Sequence, residues 1–140
     1  MDFEAYVKAI NAHDWDAIVK FMTDDVTYED VALGERHQGK PGVREFWSRA
    51  ASDFSSDFRM DMLRSFATDT DYATEWIFKG THDGSSPQLP PTGRQFAVHG
   101  VSVGRLQGGL IKENKDFWNM VEFLGQVGLI PAPGSSTQGT

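Results

Sequence analysis

The chain has 140 residues, 39% of them hydrophobic, and carries 13 basic against 20 acidic side chains for a net charge of -7. That size and composition suit one globular domain with a true core rather than a disordered chain. The acidity, with no basic stripe to offset it, excludes a nucleic-acid partner, whose phosphates it would repel. No apolar run approaches the ~20 residues of a membrane span. Met1-Asp2-Phe3-Glu4 is acidic where a secretory leader is basic, and there is no cysteine for a disulfide or a zinc–thiolate site, so a cytoplasmic protein is expected.

The first half reads as helices. Phe3, Tyr6, Val7 and Ile10 recur at helical spacing, as do Trp15, Ile18, Val19 and Met22 after the capping residue Asp14. Val43, Phe46, Trp47 and Ala50 repeat the spacing, with Pro41 expected at the first helical position. Between these helices, Val26-Thr27-Tyr28-Glu29-Asp30 alternates as a short strand with Val26, Tyr28 and Asp30 on one face.

From residue 57 the period becomes two. Phe58, Met60 and Met62 form one run, and Tyr72, Thr74, Trp76 and Phe78 form the next, with a turn at Asp69-Thr70-Asp71. A Gly-, Ser- and Pro-rich loop over 80–93 precedes two long strands, 95–106 and 110–118, joined at Gly108-Gly109. Asn119 and Glu122 have capping-box form and open a last helix that Gly128 stops. Residues 131–140 have the composition of a mobile tail, leaving 1–130 as a single domain. Helices followed by strands predict an α+β fold, with helices on one face of a curved antiparallel sheet and a cavity between them.

The segments Asn11-Ala12-His13-Asp14-Trp15, Asp24-Asp25-Val26-Thr27-Tyr28-Glu29-Asp30, Val43-Arg44-Glu45-Phe46-Trp47, Gly80-Thr81-His82-Asp83-Gly84, Pro90-Pro91-Thr92-Gly93-Arg94 and Gln126-Val127-Gly128-Leu129 occur in a telling order. In that order the chain resembles the nuclear transport factor 2-like superfamily, and within it the SnoaL-like polyketide cyclases and their ketosteroid-isomerase relatives. The resemblance implies a cone-shaped fold, a homodimer and an apolar pocket. It leaves the chemistry open, because the superfamily holds enzymes, binding proteins and assembly proteins alike.

Asp30 falls where the isomerases carry their proton-shuttling base, and its strand face turns it toward the expected pocket. A carboxylate desolvated there suits a general base. Tyr6 matches the isomerases' oxyanion-hole tyrosine, although it also belongs to an apolar helix face. Their second oxyanion donor falls at Val101, so His99, on the same strand face, is a candidate replacement. The cyclases' acid–base Asp falls at Asn119 and the His often found five residues earlier at Asn114, both neutral amides that can orient a carbonyl but shuttle no proton. Asp116, sharing a face with Trp118, is the alternative carboxylate. His82, where the resemblance puts the cone's mouth, is a further acid–base candidate, or a loop histidine bonded to its neighbours.

The four histidines lie in separate segments with no metal-ligand spacing, and no phosphate loop, nucleophile elbow or dinucleotide fingerprint occurs, so neither metal nor cofactor is expected. Ten Phe, four Trp, three Tyr and five Met exceed what a core requires, and Tyr28, Trp76 and Trp118 are expected to line a site for a hydrophobic small molecule. Ile77 and Ala73, opposite Trp76, give the sheet a second apolar face, which predicts a sheet-to-sheet homodimer. The leading reading is a cofactor-free acid–base enzyme acting on a hydrophobic carbonyl compound by cyclisation, isomerisation or dehydration. Its alternatives are a small-molecule binding module and a dimeric assembly domain.

Overall fold

Asp2 opens the first helix, α1 (Phe3–Asn11), by accepting a hydrogen bond from the Ala5 N–H at 3.0 Å, and Phe3, Tyr6 and Ile10 turn to the core. Asp14 caps α2 (Trp15–Val19) in the same way through Ala17. Met22 does not extend the α2 stripe as its spacing predicts; it opens strand β1 (Met22–Asp30), where Met22, Val26, Tyr28 and Asp30 are buried. A computed structural model describes residues 1–131, so the expected tail lies outside the described residues except for Pro131.

β2 (Glu35–Gln38) forms a hairpin with β1 and leads into α3 (Gly39–Arg49), which begins two residues before Pro41 and buries Val43, Phe46 and Trp47. The chain then widens into a π-helical turn, Ala50–Phe54, of a kind that recurs at functional sites. Strands β3 (Arg59–Ala67), β4 (Asp71–Thr81), β5 (Gln95–Gln107) and β6 (Leu110–Trp118) follow, and α4 (Met120–Gln126) closes the described fold. Asn119 caps α4 through the Glu122 N–H at 3.1 Å. Gly108 and Gly109, at φ 59° and 78°, make the β5–β6 turn that only glycine adopts without strain.

The fold is α+β, with a six-stranded sheet in the order β2-β1-β6-β5-β4-β3. It departs from the expected all-antiparallel sheet at one junction, where β1 and β6 run parallel. A parallel pair needs a long crossover, and everything from β2 to β5 supplies it. The last strand thereby returns to lie beside the first.

Along β5 burial alternates strictly. Phe96, Val98, Gly100 and Ser102 face inward, while Ala97, His99, Val101 and Val103 face outward. A Cβ on Gly100 would lie 2.3 Å from the Trp76 ring, so the missing side chain is what lets that indole lie across β5. Two apolar clusters fill the concave side: a larger one under α1, α2 and α3, and a smaller one of Phe96, Val98, Phe123 and Val127 near α4. Among the described residues no helix is long and apolar enough to cross a membrane.

Candidate functional site

Between the concave face, α3, the π-helical turn and the loop around Leu89 lies a pocket of about 510 Å³. Phe46, Trp47, Phe54, Trp76, Phe78 and Trp118 supply aromatic walls. Two buried carboxylates, Asp30 and Asp116, reach the same lining. They are register partners across the parallel β1/β6 pair. Neighbouring strands run about 4.8 Å apart, so the two acids stand side by side.

Asp30 is 4% exposed. The Trp118 indole N–H spans its carboxylate at 3.0 Å to each oxygen, and the Leu33 N–H donates to Oδ1 at 2.9 Å. Burial first, and the charge of Asp116 second, push its carboxyl up to about 6, while the Leu33 and Trp118 donors hold it back. A carboxylate titrating there is well matched to proton abstraction near neutrality.

Asp116 ends two directed chains of hydrogen bonds. The Trp76 indole, which can only donate, gives to Ser102 Oγ at 2.9 Å, so the Ser102 hydroxyl gives onward to Asp116 Oδ1 at 2.6 Å. The Tyr72 hydroxyl gives to Asn114 Oδ1, and the Asn114 amide N–H gives to the same Asp116 oxygen at 2.8 Å. Burial raises the Asp116 carboxyl, opposed by Ser102, Asn114 and Tyr28. With Oδ1 taken by two donors, a proton on this acid sits on Oδ2. Asn114, which the resemblance sets at the cyclases' histidine, here supports Asp116; Ser102 was not singled out from sequence, although it carried a signal, being in phase with the inward Phe96 and Val98.

Tyr6 and Tyr28 do not line this pocket. With Tyr72 they surround a small inner cavity, walled off from it by Trp47, Met60 and Trp76. Burial raises the ionisation of all three phenols, so they remain neutral donors. Tyr28 bears on Asp116 and Tyr6 on Tyr28, which makes them supports of the second carboxylate.

The geometry has a counterpart among known proteins. A family model described as the SnoaL-like domain matches residues 3–114. The chain belongs to the SnoaL-like family. A candidate polyketide cyclase from Xanthomonas campestris pv. campestris superposes with a TM-score of 0.79 at 25% identity, over 89% of this chain and 93% of that one. A protein of ketosteroid isomerase-like fold from Catenulispora acidiphila, in complex with trimethylamine, gives 0.79 at 19% identity, over 90% and 91%. AclR from Streptomyces galilaeus, a candidate hydroxylase, gives 0.76 at 22% identity, over 92% and 80%.

Besides Tyr6 and Tyr28, three further residues singled out from sequence lie away from the pocket of this SnoaL-like chain. His99 is on the outward face of β5, half exposed, with Nε2 2.6 Å from Glu75 Oε2; it cannot replace an oxyanion donor. Asn119 is exposed and occupied in capping α4. His82 is fully buried beneath the 80–93 loop rather than at a mouth, stacked edge-on against Phe54 and Phe123, with Nδ1 3.1 Å from Thr92 Oγ1. Burial lowers its proton affinity, so its ring is a neutral anchor: the His82 carbonyl accepts from the Thr92 and Gly93 N–H groups and closes the loop. Among the described residues no three His, Cys, Asp or Glu side chains are grouped to hold a metal ion.

The rim is charged. Glu35, Arg49 and Asp53 join the lining there, and Arg49 lies 3.3 Å from Glu35 and 3.7 Å from Glu45. These residues escaped notice in the sequence because no spacing or motif distinguishes them from ordinary surface charges.

Proposed function

We propose that this SnoaL-like protein is a cofactor-free acid–base enzyme that moves a proton beside the carbonyl of a hydrophobic small molecule. The observation that carries the reading is the placement of Asp30: a buried carboxylate, held up to about 6, on the wall of an aromatic pocket large enough for a small organic substrate. Asp30 takes the proton from the carbon next to the carbonyl, and the bonding pair moves to the carbonyl oxygen. Asp116, whose carboxyl burial also raises, is the second acid of the pair, and in its protonated form it donates a hydrogen bond to that developing enolate. Return of the proton from Asp30 to another carbon gives isomerisation; attack of the enolate on a second carbonyl, whose oxygen takes that proton, gives cyclisation; and departure of a β-hydroxyl that takes the proton and leaves as water gives dehydration.

Asn119 in the position of the cyclases' acidic residue does not weaken this reading, because that side chain caps α4 outside the pocket. A direct test is hydrogen–deuterium exchange at the carbon beside the carbonyl of a conjugated cyclic ketone in deuterated buffer. Exchange above the buffer rate supports the proposal; none, across a panel of such ketones, counts against it.

The same reading includes a homodimer. Phe66, Val101, Val103 and Phe117 stand exposed on the outward side of the sheet. Phe66 pairs with Ala73 and Ala73 with Val103, while Val101 pairs with Phe117, so the apolar residues form a continuous patch across four strands. Sheet-to-sheet pairing of two copies would cover it. Sedimentation at micromolar concentration should give a dimer that Val101→Lys dissociates, and a monomeric parent protein would refute it.

A further inference from the structure

The pocket's charges do not balance. Asp30, Glu35, Asp53 and Asp116 all reach its lining, against a single cation, Arg49, which Glu35 and Glu45 already hold. Asp30, Asp53 and Asp116 take part in no ion pair among the described residues; the Asp53 carboxylate accepts only the Ser52 hydroxyl, at 3.1 Å. Six aromatic rings, with aliphatic side chains such as Leu33, Met60 and Leu89 between them, make up most of the remaining surface. Carboxylates in such surroundings are poorly solvated, and a ligand bearing negative charge would be repelled from every side. The group that relieves this arrangement is a positive charge of low hydration, which aromatic faces attract in their own right.

We propose that the ligand of this pocket carries an alkylated ammonium group, seated between Asp53 and the aromatic walls, with its apolar body extending toward Asp30 and Asp116. The inference rests on the reading of the pocket as a small-molecule site and adds the class of molecule. Asp53 suits the seat because its place on the π-helical turn sets it at the rim, partly exposed and without a cation. A tertiary or quaternary amine entering there keeps its polar end near solvent while the carbonyl portion is drawn to the buried acids. Anionic metabolites, including phosphorylated ones, are turned away.

The test compares phenyltrimethylammonium with tert-butylbenzene, which share a shape and differ in charge, by NMR titration of the Trp indole signals at pH 7.5. The cation should bind at least about tenfold more tightly. Asp53→Asn should weaken the cation by about three- to tenfold and leave tert-butylbenzene unchanged, and added salt should act in the same selective way. Asp53 is a partly exposed turn residue, and an unchanged circular dichroism spectrum and an unchanged affinity for tert-butylbenzene certify the variant's fold. If tert-butylbenzene binds as tightly as the cation, the ammonium preference is wrong, while the acid–base reading, which depends on Asp30, stands. If benzoate competes as well as either, the preference is wrong for the same reason. If neither phenyltrimethylammonium nor tert-butylbenzene binds, the pocket is no small-molecule site and both readings fall together.

Discussion

Asp30 and Asp116 are register partners on the parallel pair β1 and β6, and this pairing puts two carboxylates on one wall of one pocket. Their environments differ. Asp30 is gripped by an indole N–H and a backbone N–H, whereas Asp116 ends a network that starts at Trp76 and Tyr72. Two adjacent acids with unlike surroundings titrate as a pair, and such pairs divide the roles of base and acid.

The pH dependence follows. Asp30 must be ionised to accept a proton, so kcat/KM should rise as pH passes upward through about 6. Two substitutions should move that limb in opposite directions. Trp118→Phe removes a donor that favours the carboxylate, and should shift the limb to higher pH. Asp116→Asn removes a neighbouring negative charge that opposes ionisation, and should shift it lower. A pH–rate profile of each variant decides the matter; shifts of the same sign would show that another group sets the limb.

Stability should show the same carboxyl from the other side. Folding raises Asp30 from its ordinary 3.8 to about 6, so the folded state binds the extra proton between those values. Its contribution is fully present below pH 3.8 and is lost as pH rises through 6. At pH 7 the ionised, buried group therefore costs up to ~3 kcal/mol. Asp30→Asn should gain part of that at pH 7 and little at pH 3.5, as read from urea unfolding midpoints. A variant equally destabilised at both pH values would contradict the desolvation account.

Much of the fold was legible because its signals are local. The Asp14 and Asn119 caps, the Gly-Gly turn and the inward face of β1 all follow from neighbours in sequence. What stayed hidden was non-local or lacked contrast. Nothing in Asp116's own neighbourhood shows that the last strand lies beside the first, so its partnership with Asp30 could not be read. β2, Glu-Arg-His-Gln, is an edge strand with no apolar alternation to mark it. His99 was a candidate because it shares a strand face with Val101, where the resemblance sets an oxyanion donor, and that face is the outward one. The true inner face is diluted by Gly100 and Ser102, whose small size serves Trp76 and Asp116.

That accommodation can be tested through Gly100. A methyl there must displace the Trp76 ring, so Gly100→Ala should destabilise the fold by about 1–3 kcal/mol. It should also shift indole fluorescence, as Trp76 leaves Ser102 and the pocket wall. An unchanged melting temperature and spectrum would mean that the indole does not rest on β5.

The central claim is that Asp30 is the base, and its most direct test is Asp30→Asn assayed by deuterium exchange beside a ketone carbonyl. The substitution keeps the shape of the side chain and removes its basicity. With circular dichroism and oligomeric state unchanged, the catalysed rate should fall by ~10²–10⁴-fold. A well-folded Asp30→Asn protein that exchanges at the parental rate would contradict the account, and the proton would have to be taken by another group.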